Sequence, residues 1–253
     1  GTVAQAINRM FDAVEVLRDQ LSVDTWLVIG SMQGRLERLE SVSHDRDDAV
    51  VTVLNGLLES LLALSGLMAE SMVRDHAWQF MEVGRRVERA LQITALVGAL
   101  LTVDYEPAAE SLIAESTLTA AESIITYRRR YRSHAQIATV LDLLLSDPGN
   151  PRSLRFQLDR LDEGVGALDA ARRRDADAAA LAKVRAALEL LEAVDSTRVA
   201  EVADGHRLSL QTFLWEMRQE LLGIAEAIGA DNFTRLLPQQ SMSTPSEPPG
   251  WST

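Results

Sequence analysis

Proline is the residue that most limits what this chain can become. Residues 1–237 contain three, Pro107, Pro148 and Pro151, and four more crowd into residues 238–253. Proline removes a helical hydrogen bond and clashes with the preceding turn, so a chain nearly free of it can run long helices. No rhythm of short strands and turns at roughly 8–12-residue spacing competes with that reading. The fold class predicted is all-α, a bundle of about eight to nine mostly antiparallel helices over residues 1–237. Residues 238–253, rich in Gln, Ser, Pro and Thr, are expected to form a disordered tail, because they hold too little apolar surface to offset the entropy of ordering.

Periodicity and capping residues place the helices at about residues 3–21, 23–40, 47–73, 75–103, 107–133, 135–146, 151–169, 176–194 and 206–230, with a short turn in 196–205. Ser22 is expected to cap the second helix, and Asp47 or Asp48 the third. Pro107 suits the first turn of the fifth. Asn150 and Pro151 read as N-cap and first residue of the seventh.

Charge and composition exclude several function classes. A net charge of −12 disfavours wholesale binding to nucleic acid or an anionic membrane. Without cysteine there is no disulfide, thiolate nucleophile or Cys-ligated zinc. The longest uncharged run, Ala90 to Val103, is shorter than the roughly 20 residues needed to span a bilayer. With no signal peptide or lipidation motif, a cytoplasmic location is expected. The chain opens on Gly1 rather than methionine, and the expectation is a processed product or an excised fragment. Lys183 is the only lysine, so the basic side chains are otherwise the planar, bidentate kind suited to pairing with carboxylates.

The most informative stretch runs from Asp75 to Ala90. On a helix Arg85, Glu88 and Arg89 fall at i, i+3 and i+4 and share a face, with Met81 and Glu82 just before them. Phe80, Val83, Val87, Leu91 and Thr94 lie opposite, and the uncharged run from Ala90 carries the helix into the interior. Charges drawn that way need partners, since an unpaired buried ion costs several kcal/mol. The stripe is expected to be a pre-paired cluster facing other helices or a ligand, with Gly84 permitting close helix approach. The plainer alternative is a solubilising set of intrahelical pairs, each worth about 0.3–0.5 kcal/mol.

Tyr127 and Tyr131 share a face among Arg128, Arg129, Arg130 and Arg132. Arginines at a helix end after Glu110, Glu115 and Glu122 suit the helix dipole, and that reading outweighs an anion site there. Asn150, Pro151, Arg152 and Ser153 open a helix, where free amides favour an ordinary cap or an anion. His44, His76, His134 and His206 make no i, i+4 pair, so no metal or other cofactor is expected. A carboxylate-only site from Glu115, Glu122 and Asp142 stays open. Phosphate loops and nucleophile-elbow serines are absent.

Together these segments resemble the bacterial alpha-E family, all-helical domains named for a Glu-Arg motif. The resemblance covers most of residues 10–165. It rests on Leu17 to Ser22 with Trp26, on Arg74 to Trp78 leading into Gly84 to Ala90, and on Tyr127 to Tyr131. Leu143 to Asp147, and Asn150 to Ser153 with Gln157, complete it. Position 19 is Asp where the family tends to Glu, and an earlier Glu-Arg helix of the family has no counterpart after Gly1. The resemblance implies work beside ATP-grasp ligases and transglutaminase-like proteins in a peptide synthesis or modification system. The leading expectation is a non-catalytic module bound or fused to an ATP-grasp-type amide ligase. In it Arg85, Glu88 and Arg89 organise the interior, and Trp78, Gly84, Tyr127, Arg128, Tyr131, Asn150, Arg152 and Ser153 form the remaining motif positions. A rival makes Glu88 a general base, with Arg85, Arg89 and Arg152 holding a carboxylate or phosphate. A third reading is a bundle that only oligomerises.

Overall fold

The computed structural model describes residues 2–17, 21–41, 47–132, 134–172 and 178–233. The regular elements among them are helices, with isolated antiparallel bridges joining His206 to Val103 and Ala203. The all-α expectation holds. Residues 238–253 and His44 lie outside the described residues. The chain divides into two compact units, Gly1–Trp78 and Gln79–Thr253.

The first unit holds α1 (Val3–Val16), α2 (Val23–Ser41) and α3 (Asp47–Glu70). Thr2 and Gln5 close a reciprocal capping box on α1. Ser22 caps α2 as expected, its Oγ accepting from the Thr25 amide at 3.2 Å. The core is small: Ile7, Met32, Leu36 and Leu57 are buried, with Phe11 and Val28 against them. The Arg35 guanidinium of α2 lies across Gly56 of α3, where a Cβ would displace the end of that side chain. Val51, Leu58 and Leu62 of α3 stay exposed. By length and composition Asp48–Glu70 could cross a membrane, although Glu59 interrupts its apolar run.

The second unit is built on α4 (His76–Leu100), whose first turn precedes the unit boundary. It continues with α5 (Pro107–Ala120), α6 (Ile124–Tyr131), α7 (Ile137–Leu141), α8 (Leu154–Arg172), α9 (Ala178–Glu192), α10 (Ser196–Val199) and α11 (Leu208–Phe233). α9 packs on α8 and on α11. Val83, Val87, Ala90, Ile93, Thr94 and Val97 form the buried stripe of α4 at helical spacing. Leu158, Leu161 and Val165 of α8 and Leu210, Met217 and Leu221 of α11 belong to the same core. Each such side chain contributes about 1.5–3 kcal/mol on burial. α8 approaches α4 closely at Gly164, where a Cβ would stand 2.9 Å from Val83 Cγ2. The close approach expected at Gly84 is not there: Gly84 is exposed and its Cβ direction is open.

Two helices depart from their expected course. The one expected over 107–133 breaks at Ala121–Ser123, where Glu122 turns left-handed at φ 51° and α6 starts anew. After Leu141 the chain widens into a π-helical turn, Asp142–Ser146, which sinks Leu143, Leu144 and Leu145 completely. Three consecutive leucines cannot all face inward on an ordinary surface helix.

Candidate functional site

On α4, Glu82, Arg85, Arg86 and Arg89 stand at i, i+3, i+4 and i+7, one stripe beside the buried one. Glu82 is the shared acceptor, paired with both Arg85 and Arg86. Burial works against its charge, but Arg86 and then Arg85 outweigh that, holding the carboxyl below its ordinary range. Arg86 also donates through Nη1 to Gln157 Oε1 at 3.2 Å, and its guanidinium lies over the Phe156 ring. The expectation that Glu88 pairs with Arg85 and Arg89 inside the bundle is corrected. Gly84, Glu88, Gln92, Ala95 and Ala99 make an exposed ridge, so Glu88 turns away from the core. Glu82 takes its place.

Arg89 differs from its neighbours. It is half-buried and has no hydrogen-bond or ion-pair partner among the described residues. Desolvation, and then the charges of Arg152, Arg86 and Arg85, lower its pKa. It lines a concavity of about 200 Å³ with Gln92, Arg152, Gln157 and Glu122 as polar walls. Ile93, Leu96, Ala120 and Ala121 supply the apolar wall. Arg152 pairs with Glu122 across this rim. A left-handed non-glycine residue costs of order 1 kcal/mol and persists only where its surroundings demand it; here it carries the Glu122 carboxylate to the rim.

The loop feeding the site is fixed by buried hydrogen bonds. Asn150, 2% exposed, does not cap α8. Its Nδ2 donates to Leu143 O at 3.1 Å and Ser123 Oγ at 3.2 Å, tying the π turn to the α5–α6 break. Its Oδ1 accepts from the Arg152 amide at 3.1 Å and so sets where Arg152 begins. Ser153 is the residue whose Oγ caps α8, accepting from the Phe156 amide at 3.1 Å while donating to Asp147 O at 2.5 Å. Gln157 anchors itself by donating to Pro151 O at 2.6 Å.

The other expected positions lie elsewhere. Trp78 sits under the Arg74 guanidinium at 4.8 Å, at the start of α4, which Asp75 caps. Tyr127 and Tyr131 stack at 4.7 Å. The Tyr127 hydroxyl is within 2.6 Å of Thr139 Oγ1 and accepts from the Gln136 amide at 3.2 Å. Tyr131 donates to Asp142 Oδ2 at 2.6 Å, and burial with that bond raises its pKa. Arg128 is exposed and Arg130 pairs with Asp147, so the tyrosine face joins α6 to α7. Of the expected site residues, the concavity gathers Arg89 and Arg152. Gln92 and Gln157 join them at its wall; in the sequence Gln157 stands out only as part of the family segment, and Gln92 carries no motif signal. Glu82 was the legible miss, standing three and four residues before two arginines.

The comparisons agree with this picture at the level of family. The family model Alpha-E, described as a predicted alpha-helical domain with a conserved ER motif, matches residues 1–233. Similar chains include the uncharacterized proteins Rv2567 of Mycobacterium tuberculosis and Mb2597 of Mycobacterium bovis. Each is 40% identical over 164 residues, covering 64% of this chain and 19% of the relative. The chain thus spans about a fifth of the length of these relatives. No solved structure matches it.

Proposed function

We propose, from the premise that this chain belongs to the Alpha-E family, that it is a non-catalytic helical module serving an ATP-grasp-type amide ligase. The ligase is fused or separate, and the setting is peptide synthesis or modification, with a transglutaminase-like protein as a further partner. One observation carries the non-catalytic part. Most polar groups around the motif are engaged within the protein: Glu82 with Arg85 and Arg86 along α4, and, between elements, Arg86 with Gln157 and Asn150 with Ser123 and Leu143. The carboxylate best placed by sequence for general-base work, Glu88, stands outside on the exposed ridge. The relatives, in which the matched segment is a minor part of a longer chain, support the word module. The ligase itself comes from the family resemblance.

Co-purification from the cell of origin, with a tagged chain, tests the partnership. Recovery of an ATP-grasp protein, or a full-length chain carrying that domain, is the expected result; repeated recovery without either ends the proposal. The catalytic rival is tested by Glu88→Gln. The expected outcome is unchanged turnover by the assembled ligase system and an unchanged melting temperature. Abolished turnover in a chain that melts normally would establish the rival.

A further inference from the structure

We infer that the concavity beneath Arg89 binds the carboxylate head of a small, partly apolar acid. The inference stands on the site alone and does not depend on the ligase partnership.

The local charge is the first support. Arg152, Arg86 and Arg85 each stand near enough to act on the charge of Arg89, against two partnered carboxylates, Glu82 and Glu122. This excess of cations occurs in a chain whose net charge is −12. Arg85 and Arg86 pair with Glu82, and Arg152 pairs with Glu122, which leaves the Arg89 guanidinium without a direct partner among the described residues and with only the longer-range charge of Glu82 in its favour. Holding an unpartnered cation partly out of water is costly, and folding alone gains nothing from it. An arriving anion recovers that cost. Sites kept for function at the expense of stability have this signature.

Shape and chemistry select the ligand. A guanidinium presents parallel N–H donors that match the two oxygens of a carboxylate. Gln92 and Gln157 add amide groups at the wall, although Gln157 already accepts from Arg86 and donates to Pro151. The concavity is small, and its apolar wall, Ile93, Leu96 and Ala121, has no charge to offer. A phosphate ester would meet that wall with a third oxygen. A carboxylate with a few methylenes places its head on Arg89 and its stem on the leucine and isoleucine. Glu122 is the one anionic group lining the concavity among the described residues, and Arg152 matches its charge.

Butanoate and inorganic phosphate, titrated separately at constant ionic strength, test this by NMR of the Arg89 Nε–H and Ile93 methyl signals. Saturable shifts of both signals with butanoate are expected, and Arg89→Gln should weaken binding about tenfold, the loss of a charge-assisted contact. The melting temperature of that variant should not fall, whereas a merely structural arginine would lower it. Arg89→Lys keeps the charge without the fork; severalfold weaker binding is expected and gives the test a second, more conservative variant. Affinity unchanged in both variants, no saturable shift, or phosphate binding more tightly than butanoate through Arg89 would each overturn the inference.

Discussion

Arg207 and Arg89 belong to the same unit and stand in opposite circumstances. Arg207, 3% exposed, donates through Nε to Ala200 O at 3.1 Å and through Nη1 to Val103 O at 2.7 Å and Leu101 O at 3.3 Å. Its Nη2 pairs with Glu110 and lies 3.8 Å from Asp104. One side chain thereby closes the carbonyl ends of α4 and α10 and fastens the starts of α5 and α11. Arg89 is less buried and has none of this. A buried guanidinium with all three nitrogens bonded is a structural clasp. One that is half desolvated and unspent has capacity left for something outside the protein. Burial alone would have ranked Arg207 as the more interesting of the two, and it is the count of satisfied donors that reverses the order.

Removing each arginine, and the carboxylate between these extremes, sharpens the contrast. Arg207→Ala should be the most damaging, about 3–5 kcal/mol in unfolding free energy measured by denaturant titration, because Glu110 and several carbonyls lose their donor. A loss within the range of ordinary surface substitutions would break the distinction. Glu82→Gln should cost less, about 1–2 kcal/mol once partial exposure is allowed for. Its pH dependence has a defined sign. The folded carboxyl is lowered below its ordinary 4.5, so its stabilisation is fully present above that value. It disappears as pH falls through the lowered folded value. The gap in melting temperature between wild type and Glu82→Gln should therefore be constant near neutrality and close in acid. A gap that widens in acid would contradict the pairing. Arg89→Gln should have the smallest effect, within about 0.5 kcal/mol of wild type or slightly stabilising. Calorimetry without added ligand checks it, and a loss approaching that of Arg207 would erase the comparison.

Much of this was written locally. Helix positions followed from periodicity, Ser22 from its cap, and the interior course of α4 from Val83, Val87 and Thr94. The candidate site was only half legible. Spacing allowed Arg85 to pair with Glu82 or Glu88, because each lies three residues away; rotation of α4 about its axis decides, and that rotation is set by what packs against Val83 and Val87. Gly164, not Gly84, makes the close approach, and no local signal distinguishes two helical glycines. The break at Glu122 carries neither glycine nor proline. Asn150 looked like a cap because cap geometry and a buried amide bridge draw on the same side-chain groups.

The sequence by itself determined an all-helical chain, since hydrogen bonding along a helix is a local matter, and its motif segments carried the resemblance to the Alpha-E family. Tertiary structure alone decided which charges are matched between helices. Electrostatic pairing depends on distances across helices, and those exist only once α4, the α5–α6 break and α8 are packed together.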